Sequence, residues 1–106
     1  MAVILLPDAQ EDLLSLQDYM LAKWGEAVWL KAEDEIFEKL TAVDTGQFNG
    51  TPVKELASIG IFDYANVLTS HHRIVCKKMK SKTYVYLLAG QQQDFQTLLL
   101  KRLFSR

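Results

Sequence analysis

The chain changes its apolar period more than once. Ala2–Leu6 is a short, wholly apolar run with β-branched Val3 and Ile4, closed by Pro7. That predicts a buried strand. From Pro7 the spacing turns helical: Ala9, Leu13, Leu16, Met20 and Trp24 share one face, and Leu14 and Leu21 widen it. Proline suits a first helical turn, and Asp8, Glu11 and Asp12 suit the positive end of the helix dipole. Gly25 stands where a left-handed stop is wanted. A second helix is predicted from Glu26 to about Val43, with Trp29, Ala32, Ile36, Leu40 and Val43 as its stripe, flanked by Val28 and Phe37. Both tryptophans read as core. Lys31–Glu35 and Glu35–Lys39 read as i,i+4 ion pairs on the far side. So short a link makes the two helices an antiparallel αα-hairpin.

Asp44–Pro52, with two glycines, an asparagine and a proline, reads as a loop. Val53–Ile59 is a weak strand before Gly60. Phe62, Tyr64, Asn66 and Leu68 then alternate with Asp63, Ala65, Val67 and Thr69. Arg73–Met79 and Thr83–Ala89 are two further strands around a polar turn at Lys80–Lys82. Tyr64, Tyr84 and Tyr86 read as sheet packing residues. Gly90 ends the sheet, and Gln91–Phe104 returns to helical spacing, with Phe95, Leu98, Leu99, Arg102 and Leu103 clustered. The predicted order is β-α-α-β-β-β-β-α. This is an α+β fold: an antiparallel-rich curved sheet packed by an N-terminal αα-hairpin and a C-terminal helix. A length of 106 residues suits one domain, 1–106.

Composition narrows the function classes. Hydrophobic residues make up 49% and charged residues 24%, which excludes a mainly disordered chain. No apolar run is long enough to span a bilayer, so no membrane partner is expected. No signal segment opens the chain, so the cytoplasm is the expected location. The net charge is only −1, whereas a protein that holds nucleic acid through phosphates is usually strongly basic. The charge is uneven, however. Residues 1–50 carry −7 and residues 51–106 carry +6, so a basic face is still available.

Glycine-rich phosphate loops, GxSxG, HExxH and EF-hand spacings are all missing. A single cysteine, Cys76, allows no internal disulfide or zinc cluster, and reads as a strand-interior filler rather than a nucleophile. No metal or cofactor is expected. His71-His72-Arg73 is the densest polar cluster. Strand alternation would put His71 and Arg73 on one face and His72 on the other. It reads either as an anion-binding arginine beside a titratable imidazole, or as a solvated strand start. Lys77, Lys78, Lys80 and Lys82 flank the hairpin turn, where they can steer a polyanion or protect an edge from pairing. Lys101, Arg102 and Arg106 suit the negative end of the last helix.

The order of these features resembles the bacterial type II toxins of the RelE/ParE superfamily over nearly the whole chain. The resemblance is carried by the short strand closed by proline, by Asp12-Leu13 and Tyr19 in the first helix, and by Lys54-Glu55-Leu56. It is most specific in Ser70-His71-His72-Arg73-Ile74-Val75, followed by Tyr84-Val85-Tyr86-Leu87-Leu88 and Gln91-Gln92-Gln93-Asp94. The RelE-like branch cleaves ribosome-bound mRNA, by attack of a 2′-hydroxyl on the adjacent phosphate, with basic and aromatic groups on the sheet. Arg73 matches the strand arginine of that pattern, and His71 or His72 would have to supply the acid or base. Tyr64, Ala65 and Asn66 stand where a basic pair is expected, and glutamines follow Gly90 where an arginine is expected. The resemblance is therefore closer to the ParE-like branch, which inhibits DNA gyrase by binding. That branch usually keeps an arginine in the 62–68 strand and a basic pair after the last strand; this chain has neither. A third alternative is a non-toxic member that only binds its partner. The resemblance implies a cognate antitoxin, a gyrase or ribosome target, and a homodimer or toxin–antitoxin hetero-oligomer. Arg73, Lys77, Lys78 and Arg102 are the expected target- or antitoxin-binding residues.

Overall fold

The computed structural model describes residues 2–90 and 92–104. Strand β1 (Ala2–Leu5) leads into helix α1 (Pro7–Trp24), and α2 (Glu26–Asp44) follows after one residue. That residue, Gly25, has φ +91°, a backbone state that only glycine adopts without strain. Then come β2 (Thr51–Pro52), a short helix α3 (Lys54–Ala57), β3 (Ala65–Leu68), β4 (His72–Met79), β5 (Lys82–Gly90) and α4 (Phe95–Phe104). The five strands form one sheet in the order β1-β5-β4-β3-β2. All neighbours are antiparallel except β1, which pairs parallel with β5. The mixed α+β architecture is thus the expected one. Among the described residues no helix is long and apolar enough to cross a membrane.

The sheet separates two cores. On one face Leu16 and Met20 of α1, and Trp29, Ile36 and Leu40 of α2, pack on Ile74, Cys76, Val85 and Leu88. On the other, Val53, Leu56 of α3 and Leu99 of α4 pack on Val75 and Leu87. A bulge opposite Val75/Cys76 lets Val75 face Leu87 and Cys76 face Val85, leaving Tyr86 as the extra residue. One extra residue shifts the alternation by one position. This puts Val85 and Leu88, three residues apart, on the same face.

Several sequence expectations change. Val53–Ile59 is not a strand. Val53 and Leu56 are both buried, a helical spacing, and the Val53 carbonyl accepts from the Leu56 and Ala57 amides. Gly60 at φ +85° then ends the turn, with the Ile61 amide reaching back to the Leu56 carbonyl. The 62–68 strand shortens to Ala65–Leu68. Helix α4 starts at Phe95 rather than Gln91, because Asp94 caps it: its carboxylate accepts from the Thr97 amide (3.2 Å) and hydroxyl (2.8 Å). Gln91 and Arg106 lie outside the described residues. Strand β1 sits at a sheet edge and is only partly buried. Trp29 is core, but Trp24 is half exposed, and Leu14 and Leu21 face outward. Glu35 makes neither expected helix pair. Its two carboxylate oxygens accept from the Ser70 amide at 3.1 Å each, closing the β3–β4 turn.

One ion pair ties the two faces together. Strand β1 stops pairing at Leu5↔Val85, which leaves the rest of the β5 edge without a neighbouring strand. Asp12 of α1 and Arg102 of α4 take that place. Asp12 Oδ2 accepts the Leu88 amide at 3.0 Å, and Arg102 Nη1 donates to the Tyr86 carbonyl at 2.7 Å. The two side chains form a two-pronged pair at 2.8 and 2.9 Å. Arg102 also lies 3.8 Å from Asp8. Removing either partner strands a partly buried charge and frees a strand-edge group. Asp12→Ala is expected to cost about 2 kcal/mol in urea unfolding. The Asp12→Ala/Arg102→Ala cycle should show coupling of about 1–3 kcal/mol; additive losses would deny the pair its role.

Candidate functional site

The His71-His72-Arg73 cluster does not act as one group. His71 precedes β4, so strand alternation does not apply to it, contrary to the sequence expectation that it shares a face with Arg73. Both histidines turn toward the hairpin helices, with ring centroids 6.1 Å apart. His72 is almost fully buried and meets Trp29 edge-on at 6.3 Å. Arg73 emerges on the opposite face, among α3, α4 and β3.

There the Arg73 guanidinium is held on several sides. Nε donates to Asn66 Oδ1 at 2.9 Å, and Nη2 donates to Glu55 Oε1 at 3.1 Å. The guanidinium also lies over the Phe95 ring, 3.6 Å from its centroid, a stacked cation–π geometry. Asn66 is brought opposite by the β3–β4 register, and Glu55 by the turn of α3. Phe95 arrives as the first residue of α4, directly after the Asp94 cap. The sequence does not join these three partners to Arg73: the expected strand at Val53–Ile59 holds Glu55, and the expected last helix holds Phe95. The D-x-x-T capping spacing was the available signal for α4. A quarter of the Arg73 side chain remains exposed (28%). The group is thus oriented and partly neutralised.

The expected lysines divide as well. Lys77 lies over the Tyr64 ring at 5.2 Å and 3.9 Å from Asp63. Tyr64, just before β3, in turn meets Tyr86 of β5 edge-on at 5.1 Å across the intervening β4. Lys78 lines a cleft of about 260 Å³ with Val43, Phe62, Asn49, Gly50 and strand β2. Lys80 and Ser81 form a two-residue turn between β4 and β5, with Lys80 at φ +56°. Arg102 is engaged by Asp12 and the Tyr86 carbonyl, so its charge serves the fold rather than an open surface. Cys76 is fully buried and its thiol is pushed up to about 11 by burial, in keeping with a filler rather than a nucleophile.

Burial pushes the His72 imidazole below its ordinary value of 6.5; His71 adds to this, and Glu35 opposes it. A 2′-hydroxyl cleavage site needs an acid or base and a cation around one phosphate. Here the imidazoles and the guanidinium are on opposite sides of a packed sheet. Among the described residues there is also no group of three or more histidine, cysteine or carboxylate side chains that could hold a metal ion.

Comparison with known proteins agrees with this architecture. The family model for the ParE toxin of the type II toxin–antitoxin system parDE matches residues 3–95. Among solved structures, the chain is similar to one described as the chromosomal ParDE toxin–antitoxin system from P. aeruginosa. The TM-score is 0.65 at 15% identity, covering 85% of this chain and 95% of that one, which is a likeness of fold. No match is found among curated proteins.

Because the folded pKa of His72 is depressed, the unfolded chain binds a proton there more readily. Stability from this group is full above about 6.5, the unfolded value, and is lost as pH falls through the lower folded value. Between about pH 7.5 and 5.5 the urea midpoint of the wild type should fall further than that of His72→Gln. Equal falls would trace the dependence to other groups.

Proposed function

The chain belongs to the family of ParE toxins of type II toxin–antitoxin systems, and from that premise we propose that it acts by binding DNA gyrase and not by cutting RNA. The observation that carries this reading is the separation of His71 and His72 from Arg73 by the sheet. A divergent ribonuclease would need them around one scissile phosphate. The near-neutral net charge also argues against docking into ribosomal RNA, where phosphate neutralisation dominates affinity.

A toxin–antitoxin family implies an antitoxin partner. Two surfaces favour a small, partly disordered antitoxin that folds on contact. The hairpin leaves Leu14 and Leu21 exposed on α1, and Leu30 and Phe37 on α2. Each pair is seven residues apart and so lies along one helix face. Around the β4–β5 turn stand Lys77, Lys78, Lys80 and Lys82, which suit an acidic segment. Arg73, with its remaining exposure, can receive a carboxylate beside Phe95. Arg102 is left out of this surface because Asp12 already occupies it.

Purified protein is expected to stop gyrase-driven DNA supercoiling at stoichiometric amounts. Undiminished supercoiling at large excess would end the gyrase assignment. Lys77→Ala/Lys78→Ala should weaken antitoxin binding by about tenfold or more at low salt. An affinity unchanged by that pair, measured by calorimetry, would move the docking surface elsewhere.

A further inference from the structure

A second cleft lies on the hairpin face, away from Arg73. It has a volume of about 280 Å³ and is lined by Tyr19, Met20, Lys23, Trp24, His71, His72 and Gln92. Four observations make it a built site. First, Nδ1 of His72 is buried and has no hydrogen-bond partner among the described residues. Such a group costs stability unless something fills its valence. Second, among the described residues the lining contains one ammonium and two imidazoles but no carboxylate. Glu35, the carboxylate that His72 feels, is turned away onto Ser70.

Third, Lys23 is held in place. Its Nζ donates to the Tyr19 hydroxyl at 3.0 Å and lies 5.4 Å from the ring centroids of both Tyr19 and Trp24. Trp24 occupies a stripe position that helical periodicity assigns to the core, yet it is 52% exposed. Fourth, Gln92 is seated against the end of β5. A Cβ at Gly90 would collide with the Gln92 side-chain amide, so glycine there makes room for the amide beside the histidines. Gln93 reinforces the bend by accepting the Gly90 amide at 2.8 Å.

We propose that this cleft binds a small phosphate monoester bearing a planar ring, of the nucleoside monophosphate class. Lys23 and His71 hold the phosphate, and Nδ1 of His72 donates its proton to a phosphate oxygen. The Gln92 amide supplies a neutral donor, and the open face of Trp24 stacks the ring. The volume falls just below the usual range for ligand sites, which starts at about 300 Å³, so a single nucleotide, with its base stacked on the exposed Trp24, is the largest ligand of this class that it suits. The site is independent of the gyrase reading, because it uses none of the residues assigned to target or antitoxin.

The test uses the two imidazoles, the only ones in the chain, as reporters in ¹⁵N-resolved NMR. Adenosine monophosphate should shift both sets of imidazole signals saturably, inorganic phosphate should shift the same signals more weakly, and adenosine should do little. Lys23→Gln should weaken adenosine monophosphate binding about tenfold with the far-UV spectrum unchanged. Trp24→Ala should weaken adenosine monophosphate but not phosphate. Silent imidazoles at millimolar nucleotide, equal response to adenosine, or indifference to Lys23→Gln would each overturn the proposal. So would an acidic antitoxin peptide that shifts these signals while the nucleotide does not, since the cleft would then be a protein contact.

Discussion

The Asp12–Arg102 pair is the constraint on which the arrangement rests. Strand β1 covers only the first half of β5, and a sheet edge left open would expose amide and carbonyl groups to unwanted pairing. The carboxylate takes the Leu88 amide, the guanidinium takes the Tyr86 carbonyl, and the two bind each other. The pair reaches around the edge, with α1 on one face and α4 on the other. Both layers are therefore fixed against the same strand by groups that each satisfy a backbone need.

This layering decides what chemistry the chain can assemble. The His71 and His72 rings are kept with the hairpin helices, beside Trp29 and the end of α1. The Arg73 guanidinium is kept with Glu55, Asn66 and Phe95 under α4. A sheet with apolar cores on both sides admits no shared substrate phosphate between them. The chain belongs to the ParE toxin family, and this separation supports the proposed reading of a scaffold that works through surfaces. The hairpin cleft holds an imidazole nitrogen with no partner among the described residues, which the family reading does not use.

Much of the fold was legible because it depends on local period. The α1 and α2 stripes through Ala9, Leu16, Met20, Ile36 and Leu40 are core as read, and β4, β5 and their turn fall where alternation put them. What was not legible depends on non-local partners. The short helix at Lys54–Ala57 was hidden because four residues hold too few periods to tell helix from strand. Glu35 looked like a helix ion-pair residue until the fold brought Ser70 to it. Arg102 looked like a dipole charge until Asp12, ninety residues away in sequence, claimed it. Trp24 and the histidines belong to a cleft that no spacing rule joins, since its residues come from the end of α1, the start of β4 and the segment before α4.

The most direct measurement of the central claim is the mapping of mRNA ends in a translating, ribosome-containing extract given the purified chain. A scaffold with its imidazoles and Arg73 on opposite sides of the sheet predicts the same mRNA ends with and without the protein. New ends that appear on addition, and vanish with Arg73→Ala in a variant that keeps its urea midpoint, would contradict it.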